Sequence, residues 1–220
     1  MSASVVVGIP ADTSGTDGIL DTINLLKTVR QIGGAAPVLG LPDTTDQKTV
    51  ELLSALAGHT VFTTGTLGAC WNAALAYALT QPEAMLVLLD GRCSITANEI
   101  TALAACSLDL PPDLWTAKGE DDEIYLEAFG VDPVLFNEQF GGFDARYTGA
   151  LAVRCDTVVR LWAGGCNVTV LDGIHPQATR PPLRCTTNDY VHFREMWGEL
   201  PSMEAVALGR MVERLTAQAS

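Results

Sequence analysis

Apolar residues along this chain follow two alternating patterns. Residues 5–9, 36–41, 60–63 and 85–89 are short runs of apolar and β-branched side chains, bounded by Gly, Pro, Asp or Thr. Runs of this length without polar alternation predict strands covered on both faces. Between them the apolar spacing becomes three and four. Leu20, Ile23, Leu26 and Val29 share one face of a helix that Asp17 can cap and Gly33-Gly34 can end. Leu52, Leu53 and Leu56 turn inward from a second helix over 49–57. Residues 73–79 lack Gly and Pro, are rich in helix formers, and stop at Gln81-Pro82. This β-α-β-α-β order predicts an α/β domain with a mainly parallel central sheet flanked by helices and joined by right-handed crossovers.

The pattern loosens after Asn98. A helix is predicted over 100–108 and a loop over 110–122, where Pro111-Pro112 stands. Residues 124–140 read as irregular. Residues 150–162 form a helix with Leu151, Val158 and Leu161 roughly on one face, ended by Gly164-Gly165. A last strand follows over 167–171, and an amphipathic helix over 202–215 with Ser202 as its cap. The chain is read as one domain, 1–220, with halves 1–98 and 99–200 and a C-terminal helix in 201–220.

Composition narrows the function. The chain has 220 residues, 48% hydrophobic and 18% charged, enough for one sizeable core. Its net charge of -13 argues against nucleic acid as the main partner and against docking on anionic lipid. No apolar run is long enough to span a bilayer, and the first residues lack a signal-peptide pattern. Cys70, Cys93, Cys106, Cys155, Cys166 and Cys185 are scattered without Cys-x-x-Cys spacing. They read as free thiols in a reducing compartment, so a cytoplasmic location is expected.

The stretch 64–98 holds the candidate chemistry. Gly65 and Gly68 open a turn, a helix and a buried strand follow, and Asp90-Gly91-Arg92 stands at the strand's C-terminal end. Ligands of open parallel sheets bind just outside those ends. Arg92 carries a permanent charge and a fork suited to phosphate oxygens. It also reads as an ordinary surface loop residue.

These residues resemble the nucleotide-sugar half of a family-2 glycosyltransferase with the GT-A fold. The Gly-rich turn, the helix start Trp71-Asn72-Ala73-Ala74-Leu75 and the strand ending in Asp90-Gly91-Arg92 carry the likeness. So do Gly142-Phe143-Asp144-Ala145-Arg146-Tyr147, Asp156, Arg160-Leu161 and Gly164 further on, over about residues 5–171. The resemblance implies transfer of a sugar from a nucleotide-diphosphate sugar donor to an acceptor that the sequence does not identify. Pro10, Ala11, Asp12 and Asp43 would then surround the nucleobase. Asp90 and Gly91 would meet the ribose or sugar hydroxyls, and Asn72 the Gly-rich turn. Asp43 also reads as an Asx turn, and Asp90 as a turn carboxylate.

Three positions depart from the family pattern. Arg92 replaces the second Asp of Asp-x-Asp, which holds a divalent metal in most such enzymes. Arg154 stands where a catalytic Asp is expected, and Trp71 where an Arg is common. Charge must still be stabilised on the leaving diphosphate, and Arg92 can do this without a metal. No cofactor is therefore predicted as required. If manganese or magnesium is bound, Asp90 and His175 are its candidate ligands. The remaining candidates for the base are Asp144 and Asp156, although Asp156 also reads as the i, i+4 partner of Arg160. A catalytically degenerate, nucleotide-binding or interaction protein is the alternative. A sugar nucleotidyltransferase would need Arg and Lys after the first strand, and residues 8–18 contain neither.

Overall fold

A computed structural model describes residues 4–106, 114–118, 124–166, 168–171, 173–179 and 185–198. In chain order the elements begin β1 (Val5–Pro10), α1 (Thr16–Arg30), β2 (Ala35–Pro42), α2 (Gln47–Ser54), β3 (His59–Thr63), α3 (Leu67–Ala78) and β4 (Met85–Leu89). They continue with β5 (Cys93–Ser94), α4 (Ala97–Cys106), β6 (Leu114–Lys118), β7 (Ile124–Val131), α5 (Pro133–Phe140) and α6 (Ala150–Ala163). The last described are β8 (Val168–Leu171), β9 (Gln177–Ala178) and α7 (Thr187–Trp197).

The main sheet has seven strands in the order β3-β2-β1-β4-β7-β6-β8. Strands β3, β2, β1 and β4 are mutually parallel. Strand β7 is antiparallel to β4 and to β6, and β6 runs parallel to β8. The expected α/β architecture with a mainly parallel sheet is therefore present, with one reversed strand in it. Alternate residues of the apolar runs point to opposite layers. Val7, Ile9, Val87 and Leu89 pack with α1, α2 and α4 through Leu26, Leu53 and Leu103. Val6, Leu86, Leu88 and Phe129 pack with α3, α5, α6 and α7 through Trp71, Phe136, Val158 and Phe193.

Several local expectations change. Helix α1 has Gly15 at its N-cap, with no side-chain cap, and Asp17 lies inside its first turn. Leu20 and Leu52 face solvent, because Leu25 and Leu53 take the inward positions beside Leu26 and Val29. Helix α3 starts at Leu67 rather than 73, capped by Thr66, whose hydroxyl accepts the Ala69 N–H at 3.2 Å. The expected loop over 110–122 contains β6. The irregular stretch 124–140 is β7 followed by α5, whose N-cap Asp132 precedes Pro133 at the first helical turn. The helix expected over 202–215 lies outside the described residues, as does Asn167 at the start of the last expected strand.

Candidate functional site

Strands β2, β1 and β4 are adjacent and parallel, so their C-terminal ends open on one side of the sheet. Asp43, Asp12 and Asp90 follow those ends, as the sequence reading requires. A cavity of about 300 Å³ opens there. Its wall is built from 10–14 after β1, Pro42 and Thr44 after β2, Thr64, Gly65 and Leu67 at the head of α3, Asp90-Gly91-Arg92 after β4, and Ala150. Gly91 is needed for close approach. A Cβ on it would lie 2.1 Å from the Pro10 carbonyl oxygen, so the β1 and β4 ends close together only around glycine.

The charged groups of this cavity are already partnered. Asp12 is buried, and its Oδ1 accepts the Ser14 N–H at 2.9 Å and the Ser14 hydroxyl. Its Oδ2 accepts from Arg92 Nε at 3.0 Å. Asp90 is also buried. Its Oδ1 accepts the Arg92 backbone N–H at 2.9 Å, and its Oδ2 accepts from Arg154 Nη2. Arg154 reaches Glu127 Oε1 with Nη1 at 2.7 Å. Burial disfavours the Arg154 charge, but the Asp90 and Glu127 carboxylates outweigh it and hold its pKa above the ordinary value. Three carboxylates and two guanidiniums thus form a network in which Asp12, Asp90 and Arg92 line the cavity and Glu127 and Arg154 stand behind Asp90. Trp71 fixes the same corner from behind, donating its indole N–H to the Leu89 carbonyl at 2.9 Å.

Other predicted site residues lie elsewhere. Asp43 is exposed beside the cavity, and its backbone N–H bonds the Thr63 carbonyl at 2.9 Å. Asp46, not Asp43, caps α2 by accepting from Lys48 and Thr49. Asn72 is absent from the cavity wall. It pairs with Phe143 in both directions, donating to the carbonyl and accepting from the N–H at 2.8 Å each.

Neither acid expected to serve as base is on the cavity wall. Asp144 accepts from Arg146 Nη2 at 2.6 Å and pairs with His192 Nε2 at 2.9 Å. Burial pushes its carboxyl up, but these partners outweigh burial and hold it well below the usual carboxylate range. Asp156 accepts from Arg160 Nε at 2.8 Å, the i, i+4 pairing anticipated as its plain role, and from the Trp197 indole at 2.8 Å. Burial dominates there, and its carboxyl is raised. His175 is exposed, with its backbone N–H on Glu99 Oε1 at 2.8 Å. The sequence reading missed Glu127 and the role of Arg154. An acid inside an otherwise apolar run, and an arginine on a buried helix face, were the available signals.

This three-layer sheet is the fold of the nucleotide-diphospho-sugar transferases and GT-A glycosyltransferases. Among similar solved structures is CMP:2-keto-3-deoxy-manno-octonic acid synthetase complexed with CTP, at 12% identity, over 91% of this chain and 100% of that one, with a TM-score of 0.55. A putative nucleotide-diphospho-sugar transferase from Desulfovibrio desulfuricans G20 has 15% identity over 78% and 80%, with a TM-score of 0.50. A mutant Drosophila β1,4-galactosyltransferase 7 with manganese, UDP-Gal and xylobiose has 12% identity over 93% and 79%, with a TM-score of 0.51. No family model and no curated sequence matches the chain.

A divalent metal like that galactosyltransferase's manganese does not fit the residues present here. Both Asp90 oxygens already accept N–H donors, and Arg92 supplies a cation where a second carboxylate would be wanted. Among the described residues no three His, Cys, Asp or Glu side chains are placed to hold a metal ion. Nor, among them, is any helix long and apolar enough to cross a membrane.

Proposed function

We propose that the cavity at the ends of β1, β2 and β4 binds a nucleotide-diphosphate sugar and that the chain transfers its sugar to an acceptor. The observation that carries this reading is the placement of Arg92 on the wall of a cavity at the C-terminal ends of parallel strands. The similar structures with CTP and with UDP-Gal support a nucleotide as the ligand. Arg92 would turn its guanidinium toward the diphosphate. That charge-assisted contact does for the leaving group what a metal does elsewhere. Binding is accordingly metal-independent.

One observation favours a second reading, a nucleotide-binding protein without turnover. Every carboxylate oxygen on the cavity wall already accepts a hydrogen bond, and Asp144 and Asp156 are held by cations away from it. On this reading neither the wall carboxylates nor Asp144 and Asp156 are placed to take the acceptor's proton.

The test is a thermal-shift and calorimetric screen of nucleoside diphosphates, nucleotide sugars and nucleoside triphosphates, in EDTA and then with manganese. A nucleotide sugar should stabilise the protein in EDTA by mass action. Arg92→Ala should weaken that binding by about 1.5–3 kcal/mol, the worth of a charged hydrogen bond. Absence of nucleotide binding, or binding only with manganese, overturns the reading. Binding without sugar transfer or hydrolysis selects the second one.

A further inference from the structure

Asp90 and Glu127 meet because of strand register. Leu89 pairs with Ala128 across the antiparallel β4–β7 ladder, and the Asp90 N–H bonds the Glu127 carbonyl at 2.7 Å. Their side chains therefore leave neighbouring positions of two paired strands, where like charges repel. Asp90 is buried, and Glu127 is 13% exposed. Two carboxylates in that setting need a proton or a cation between them. The cation arrives from α6. Ala150 lines the cavity, and Arg154, one helical turn later on the same face, reaches down to both acids. Only arginine suits this place. Its fork spans two carboxylates at once, and it keeps its charge when buried.

We propose that Arg154 is a resident cation behind the cavity wall, held against Asp90. Its guanidinium, fixed between Asp90 and Glu127, stands in for a divalent ion and determines that this pocket works without one. Arg154 acts through Asp90 and is a positioning residue. With it the network of Asp12, Asp90, Glu127, Arg92 and Arg154 carries one net negative charge, and without it two. The geometry also explains why Asp90 can be buried beside a second acid. Glu127 Oε2 is buried with no hydrogen-bond partner among the described residues, so this acid keeps one oxygen for a different cation once the guanidinium is gone.

The inference concerns the pocket of the proposed function but does not depend on nucleotide binding. Its test therefore reads manganese, and the two can fail separately. Nucleotide-free protein is titrated with manganese and followed by the electron paramagnetic resonance of the free ion and by melting temperature. Wild type should leave the signal and its melting temperature unchanged through the millimolar range. Arg154→Met should take up one manganese per chain and melt higher with it, but not with sodium chloride of equal ionic strength. Arg154→Met/Glu127→Gln, with one carboxylate neutralised, should lose that uptake by tenfold or more. If Arg154→Met does not fold alone, it should refold with manganese in the buffer. The proposal is overturned if wild type binds one manganese that Asp90→Asn abolishes. It is equally overturned if Arg154→Met, folded or not, gains nothing from the metal.

Discussion

At the scale of single residues, the amide of Asn72 shows how one side chain fixes a loop. It donates to and accepts from Phe143, 71 positions away, and so ties α3 to the turn that carries Asp144. Only an amide serves both directions. Asn72→Ala strands a carbonyl and an N–H at a half-buried site, with an expected cost of about 1–3 kcal/mol in urea unfolding. Asn72→Asp keeps the acceptor but sets a carboxylate against the Phe143 carbonyl, and it should cost at least as much. A ligand contact alone would leave both variants as stable as wild type.

Among elements, the junction of α6 and α7 rests on one carboxylate. Asp189 sits in the first turn of α7 and completes a capping box with Thr186. The same carboxylate accepts from Thr148 N–H at 2.7 Å, Thr148 hydroxyl at 2.8 Å and Gly149 N–H at 3.1 Å, just ahead of α6. One acid thus gathers donors ahead of two helices. Burial opposes its charge, and these donors outweigh burial and lower its carboxyl pKa. Asp189→Ala should cost about 1–3 kcal/mol. Its signature is local. Amide hydrogen exchange should quicken in α7 and the first turn of α6 while β1, β2 and β4 keep their protection. Uniform quickening across the sheet would contradict that picture.

On the scale of the whole molecule, buried acids set the response to pH. The folded state holds Asp144 below its ordinary pKa, so the unfolded chain binds more protons on acidification. Its stabilising contribution is complete above the ordinary carboxylate pKa of about 3.9 and is lost as pH falls below it. Asp189 acts in the same sense. Asp156 acts oppositely, since its folded pKa is raised and protonation relieves its burial. Asp144→Asn should therefore melt lower at neutral pH but lose less stability below about pH 4 than wild type. An unchanged acid limb in a pH series of thermal melts would show that Asp144 is not a source of acid sensitivity.

Much of this architecture follows from local sequence. The runs at 5–9, 36–41 and 85–89 are strands within a residue or two, because a continuous apolar run can hide its side chains only inside a covered sheet. Once these strands are parallel, Asp12, Asp43 and Asp90 must come to one end. The start of α5 is legible as well, because Asp132 before Pro133 is a helix-opening pair, although the apolar spacing over 124–140 is irregular. Strand β7 was hidden by Glu127, whose charge interrupts the apolar run until a cation 27 positions later is seen to face it.

The sequence by itself determined β1 to β4, β8, most helices and the end of the sheet where the cavity opens, because these depend largely on neighbours within a few residues. Only the tertiary structure decided which charges meet across the fold. Arg92 meets Asp12 from 80 positions away, Arg154 meets Asp90 from 64, and His192 meets Asp144 from 48. An ionised side chain takes its role from the charge that opposes it, and strand register and helix packing choose that charge.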